Sequence, residues 1–128
     1  MVGSNKEKDL VDEVYAALAN RDHISNMAGQ TNLQQLVTLM SSCRVILTTD
    51  SGPAHVANAL GVHTIVLFGA GNENNTAPYN QKNRSIIRLG QLDCEPCVSN
   101  TCKLYGIPQC LIRLDELLIA AEVDHVLK

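Results

Sequence analysis

A chain of 128 residues, 45% hydrophobic and with a formal net charge of −3, is long and apolar enough to bury a core as one domain. That composition excludes a disordered segment and a disulfide-stapled miniprotein. The scattered basic residues leave no nucleic-acid footprint, and the longest apolar run (64–71) is far too short to span a bilayer, so at most peripheral membrane contact is expected. Five cysteines (Cys43, Cys94, Cys97, Cys102 and Cys110), an odd count without a basic-plus-apolar leader, point to a cytoplasmic setting with reduced thiols or a bound metal.

Residues 6–20 place Leu10, Val11, Val14, Tyr15 and Leu18 at helical spacing, with charge on the other face. A short extended piece, 23–29, follows. Residues 31–43 read as a second amphipathic helix, with Thr31 or Asn32 as N-cap and Leu33, Leu36, Val37 and Met40 as its buried stripe. The run 43–49 (CRVILTT) is continuously apolar, as expected of a strand buried on both faces of a parallel sheet. Next comes a helix from Pro53 to about Leu60, stopped by Gly61. A further buried strand is expected at 62–69, then a polar loop over 70–83, a strand at 85–89, a cysteine-rich loop over 92–110 and a closing helix at 115–127. Alternating strands and helices predict an α/β fold, a Rossmann-like doubly wound parallel sheet with helices on both faces. The opening residues leave only Val2 of a first strand, so the chain reads as the back portion of something larger.

The chemistry concentrates in residues 50–61, DSGPAHVANALG. A strand delivers the carboxylate of Asp50 to its carboxyl end, and a tight turn through Ser51 and Gly52 opens a helix with Pro53 at its first position. Free amides and the positive end of the helix dipole make that turn a site for an anionic group such as a diphosphate. Asp50 repels phosphate but accepts hydrogen bonds from hydroxyl groups. A nucleotide sugar offers both features. The competing reading of Asp50 is a cap for the following helix. His55, in the first helical turn, is close enough to contact phosphate, although a helix N-terminus disfavours its protonated form. His23, His63 and His125 read as ordinary surface or edge histidines.

Taken in order, Asn26-Met27-Ala28-Gly29-Gln30-Thr31, Leu33 and Leu36, then Asp50-Ser51-Gly52-Pro53 with His55, Ala57, Ala59 and Gly61, then Phe68-Gly69, resemble the C-terminal half of the lipopolysaccharide heptosyltransferases, glycosyltransferase family nine. Cys94-x-Pro96-Cys97, Cys102 and Cys110 resemble cysteines of many members. The resemblance implies a GT-B architecture whose N-terminal domain holds the lipid A–core acceptor and the catalytic carboxylate. Residues 1–128 would then be the donor-binding domain for ADP-L-glycero-D-manno-heptose or a related nucleotide sugar. The acceptor domain is missing, so no catalytic residue is assigned. No cofactor or essential metal is implied. An alternative is a stand-alone nucleotide or nucleotide-sugar binding module without transferase activity.

By the same resemblance, Asp50 would bind the donor sugar hydroxyls, and Ser51 and Gly52 would offer N–H groups to the diphosphate, assisted by His55. Glu7 would hold the ribose, with first-turn dipole stabilisation as its rival role. Gly29 and Thr31 would line the adenine pocket. The late cysteines, spaced C-x2-C-x4-C-x7-C, leave three readings open: zinc bound by Cys94, Cys97, Cys102 and Cys110, a disulfide, or free thiols. Cys43 reads as a small buried hydrophobe.

Overall fold

A computed structural model describes all residues, 1–128, and the backbone contacts divide them into two compact units, Met1–Thr38 and Leu39–Lys128.

In the first unit a turn of 3-10 helix, Asn5–Glu7, leads into helix α1, Lys8–Ala17. The helix is shorter than the 6–20 periodicity predicts. Arg21 folds back, donating from Nε to Tyr15 O at 3.1 Å and from Nη2 to Ala16 O, while its guanidinium lies 5.5 Å from the Tyr15 ring centroid. Leu18 leaves the helix in an extended conformation, and the Arg21 cation satisfies the last carbonyls, so the helix stops short of Asn20. The predicted apolar stripe is only half covered: Val11, Tyr15 and Leu18 are half-buried, but Leu10 is 63% and Val14 46% exposed. The 23–29 piece forms no regular strand, yet it carries the start of one. The Met1 ammonium donates to Ser25 O, Met27 N–H to Met1 O and Gly29 N–H to Gly3 O, at 2.7, 2.9 and 3.0 Å. Partners advancing by two on both sides make a parallel ladder, cut short where Gly29 turns at φ +69°. Helix α2 spans Leu33–Ser41 and is opened by Asn32 rather than Thr31. Gln35 N–H donates to Asn32 Oδ1 and Asn32 N–H to Gln35 Oε1, both at 2.9 Å, the reciprocal pattern of a capping box. Of the predicted stripe, Met40 is buried, Leu36 and Val37 are half-buried, and Leu33 is 74% exposed.

The second unit is a three-stranded parallel sheet of β1 (Val45–Thr49), β2 (His63–Phe68) and β3 (Arg84–Arg88), in the order β1-β2-β3. Val45 pairs with His63 and Thr64 with Arg84, and both registers run on without a bulge. The strand buried on both faces is β2, whose Thr64, Ile65, Val66 and Phe68 are fully buried. The same expectation for 43–49 fails: β1 pairs on one side only, and Leu47 is 48% exposed. Helix α3, Gly52–Ala59, begins one residue earlier than predicted, so Pro53 is its second position, and it ends in Leu60 with Gly61 at φ +81°. Ala54 of α3 packs with Val66 and Phe68, and Ala77 and Ile86 complete that side of the sheet. Ile65, Ser85 and Ile87 project to the opposite side by the period-two alternation. There the Ser85 hydroxyl donates to Glu122 of helix α6, Glu116–Leu127, and Arg44 reaches Leu127 O. Helices therefore cover both faces, as the α/β reading requires.

The stretch 70–83, read as loop, holds one turn of helix, α4 (Glu73–Thr76), and a 3-10 turn, Gln81–Asn83. Asn72 and Asn80 cap them, accepting from Asn74 N–H and Lys82 N–H, both at 3.1 Å. Asn58 of α3, nearly fully buried, pins the second turn: it donates to Asn80 O and Asn83 O at 3.0 Å and accepts from Asn80 N–H at 2.8 Å. The cysteine-rich stretch is irregular until α5, Gln109–Ile112, whose Leu111 closes over Gly69. A Cβ at Gly69 would stand 2.9 Å from Leu111 Cγ, so any larger residue there would push Leu111 away. No helix is long and apolar enough to cross a membrane.

Candidate functional site

The carboxyl ends of the three strands meet one set of connections, and that rim holds the candidate site. At the end of β1 the chain turns through Asp50 and Ser51 into α3. Ser51 occupies the N-cap in an extended conformation, but its hydroxyl does not cap the helix. It donates instead to Thr49 O at 3.1 Å and lies 3.3 Å from the Thr48 hydroxyl. Ala54 N–H bonds to Ser51 O at 3.1 Å, Pro53 has no N–H, and the amides of Ser51 and Gly52 meet no acceptor in the chain. A Cβ built on Gly52 would touch nothing within 4 Å. Two unused donors at the positive end of a helix, beside open space, have the chemistry to receive an anion.

Asp50 is not the helix cap. Its Oδ2 accepts a hydrogen bond from the Thr76 hydroxyl at 3.1 Å, and no donor in the chain reaches Oδ1. Gly71 lies so close that any Cβ there would overlap Oδ2. His55 sits exposed in the first turn of α3. Asp50, Ser51, Gly52 and His55 thus all lie on the second unit, at the turn into α3 and in its first turn.

The residues expected to serve the nucleoside lie on the first unit. Glu7 Oε2 accepts from Ser4 N–H at 2.8 Å and from the Ser4 hydroxyl at 2.6 Å. These bonds, the hydroxyl's first, hold the Glu7 carboxyl below the usual carboxylate range. In this conformation Glu7 closes its own helix start through a capping box with Ser4, a local role beyond the dipole stabilisation expected from the sequence. Gly29 stands against Asn5, and a Cβ there would approach Asn5 Oδ1 to 3.0 Å. Thr31 follows it, half-buried. Nearby, Asp12 accepts from the Lys8 ammonium and from Asn26 Nδ2, the latter at 2.7 Å, and is held below its ordinary value mainly by Lys8.

The same rim holds Arg88, at the end of β3, which is not among the residues expected from the sequence. Its guanidinium donates to Gly69 O at 2.8 Å and to Gly71 O, pairs with Glu73 at 2.7 Å, and rests 5.7 Å from the Phe68 ring centroid. Glu95 lies 3.9 Å away; its Oε2 accepts from Gln91 and Leu92 N–H, while its buried Oε1 has no hydrogen bond. Glu73 is held below the usual carboxylate range, first by its own backbone amide and then by Arg88, against the opposing effect of burial. Arg88 thus ties the β2 connection to the start of the cysteine-rich stretch. No spacing signal in the sequence marks it. Val98 N–H adds a bond to Ala70 O at 2.8 Å.

All five cysteines are free thiols, and no three His, Cys, Asp or Glu side chains converge in a metal-holding group. Burial pushes the Cys110 thiol up, and the Glu95 carboxylate adds to the effect. Cys43 is half-buried with its thiol 3.4 Å from Leu39 O. An open depression of about 830 Å3, lined by Tyr79, Gln81, Lys82, Arg84 and Ile86 among others, uses none of the predicted site residues.

Comparison with known proteins gives the family and the fold. The sequence profile of glycosyltransferase family 9 (heptosyltransferase) matches residues 1–107. Lipooligosaccharide heptosyltransferase 2 of Campylobacter jejuni is 29% identical over 77% of this chain, which covers 31% of that protein. Lipopolysaccharide heptosyltransferase 2 of Escherichia coli is 38% identical over 70% of this chain, 26% of its own length. The solved structure of the Escherichia coli ADP-heptose lps heptosyltransferase II superposes with a TM-score of 0.78 and 31% identity, covering 98% of this chain and 35% of that one. The chain therefore spans between about a quarter and a third of the relatives it matches.

Proposed function

We propose that this chain, which belongs to glycosyltransferase family 9, acts through residues 1–128 as one donor-binding domain in heptosyl transfer to the lipopolysaccharide core. Its ligand is ADP-heptose or a closely related nucleotide sugar. Asp50 receives the sugar hydroxyls, the Ser51 and Gly52 amides receive the diphosphate, and His55 stands beside them. Glu7, Gly29 and Thr31 serve the adenosine, Glu7 by exchanging its Ser4 bonds for ribose hydroxyls. The acceptor, a lipid A–core oligosaccharide, is met by a further domain of the kind the longer relatives have room for. The reaction belongs to the cytoplasmic side of the inner membrane. As ADP departs, its growing negative charge falls on the start of α3, where preorganised N–H dipoles stabilise it without reorganisation.

The observation that carries this reading is the open start of α3. A serine in the N-cap position spends its hydroxyl on Thr49 O, so the first amides stay unused beside a carboxylate. A helix start left uncapped in this way needs an anionic ligand or water to satisfy it. Titration of the 15N-labelled chain with ADP and with ADP-heptose tests the proposal. Amide shifts at Ser51, Gly52 and His55 are expected with both ligands, and at Asp50 with the sugar nucleotide. Gly52→Ala fills the open space without a clash and is expected to weaken both ligands about tenfold while leaving the melting temperature unchanged. Titration without any shift in residues 50–55 would overturn the reading.

A further inference from the structure

The Asp50 carboxylate is asymmetric. Oδ2 is engaged by the chain, and Oδ1 is not. The engagement comes from two directions, both on the connection after β2. Thr76, in the last position of α4, brings its hydroxyl to 3.1 Å from Oδ2. Gly71, at the start of the same connection, presses its α-carbon side against Oδ2, so that a Cβ there would displace the Asp50 carboxylate. The Thr76 hydroxyl is also 3.1 Å from Asn72 O, so its single proton has two acceptors to choose between. Asn72 O already receives Asn75 and Thr76 N–H at 2.9 and 3.0 Å, whereas Asp50 offers a carboxylate oxygen. The charge-assisted bond to Asp50 is the stronger choice.

The turn that carries Thr76 is itself secured. Asn72 caps it, Glu73 pairs with Arg88 at 2.7 Å, and Arg88 holds Gly69 O and Gly71 O. The path runs from Arg88 through one helical turn to a single carboxylate oxygen. It fixes the rotation of the Asp50 side chain and leaves Oδ1 as the unpartnered acceptor. A carboxylate free to rotate would pay ordering entropy each time it met a sugar hydroxyl, whereas one clamped by Oδ2 does not.

We propose that Thr76 and Gly71 are positioning residues that aim Asp50 Oδ1 at a hydroxyl of the donor sugar, and so set the preference for the sugar nucleotide over the bare nucleoside diphosphate. This rests on the donor-binding reading above. Neither residue touches the diphosphate surface at Ser51 and Gly52, so the effect is confined to the sugar.

The test measures, by calorimetry on the full chain, the dissociation constants of ADP and ADP-heptose for the wild type and five variants. Thr76→Val keeps the shape and removes the donor. It is expected to weaken ADP-heptose about fivefold to tenfold and to leave ADP unchanged. Thr76→Ser restores the hydroxyl and is expected to recover the sugar preference, which a purely structural role for the β-branched side chain would not. Gly71→Ala is expected to act as Thr76→Val does. Asp50→Asn and the double variant Asp50→Asn, Thr76→Val are expected to be equally weak, because Thr76 acts through Asp50. Unchanged ADP-heptose binding in Thr76→Val, with ADP and ADP-heptose both binding the wild type, overturns this inference and leaves the donor reading intact. Equal weakening of both ligands, or no rescue by serine, also overturns it. A wild type that binds neither ligand removes the donor reading and the inference with it.

Discussion

The two units use apolar periodicity to different ends. In residues 39–128, Val66 and Phe68 meet Ala54 of α3 and are fully buried. In residues 1–38, α1 has an equally clear stripe, yet none of its residues is buried and Leu10 and Val14 stand exposed. The two predicted ligand carboxylates follow the same division. Asp50 is held by a residue 26 positions away and keeps one oxygen unused. Glu7 is held by Ser4, three positions away, with both bonds on one oxygen. A periodic pattern therefore says which face is apolar, not how deeply it is covered. A carboxylate in a motif likewise does not say whether its partner is local or distant.

The sharpest way to test this difference is to truncate matched residues. Phe68→Ala removes a fully buried ring and is expected to cost about 3 to 5 kcal/mol, whereas Leu10→Ala on the exposed stripe should change stability by under about 0.5 kcal/mol. Urea unfolding of the two variants measures both values, and equal losses would erase the distinction. Arg88→Ala leaves the nearly buried Glu95 carboxylate beside no cation and is expected to cost about 3 kcal/mol, read from the same transitions. Asn58→Ala orphans the carbonyls of Asn80 and Asn83 and should cost about 2 kcal/mol; hydrogen exchange in residues 79–83 should rise with it.

Smaller effects follow pH. The pKa of Glu73 is depressed in the folded chain, so the stability it contributes is fully present above its unfolded value. That contribution drains away as pH falls through the lower, folded value. Carboxyl carbon titration should place Glu73 below the ordinary carboxylate range, and Arg88→Ala should move it back up. The same experiment on the first unit should show Glu7 depressed and Ser4→Ala returning it toward its ordinary value. Because Glu7 is exposed, the accompanying stability change should be under about 0.5 kcal/mol.

Much of the fold was legible because its signals are local. Strands β2 and β3, helix α6 and the turn at Gly61 fall within a residue or two of their expected places. Asn32 was one of two candidate caps, and the capping box chose it. The polar stretch 70–83 was misread because Asn and Gly signal loops, while the caps at Asn72 and Asn80 shape it into two short turns. Strand β1 was misread because an apolar run looks the same at the edge of a sheet as at its centre.

By itself, the sequence determined the α/β class, the strand-turn-helix at residues 45–59 and the family, since each depends on residue types at short fixed spacings. Only the tertiary structure decided that Asp50 would be steadied by Thr76 and crowded by Gly71. It alone decided that Ser51 would leave its helix uncapped and that Arg88 would gather the rim. Those partners lie on other connections, and packing of the sheet, not proximity along the chain, brings them together.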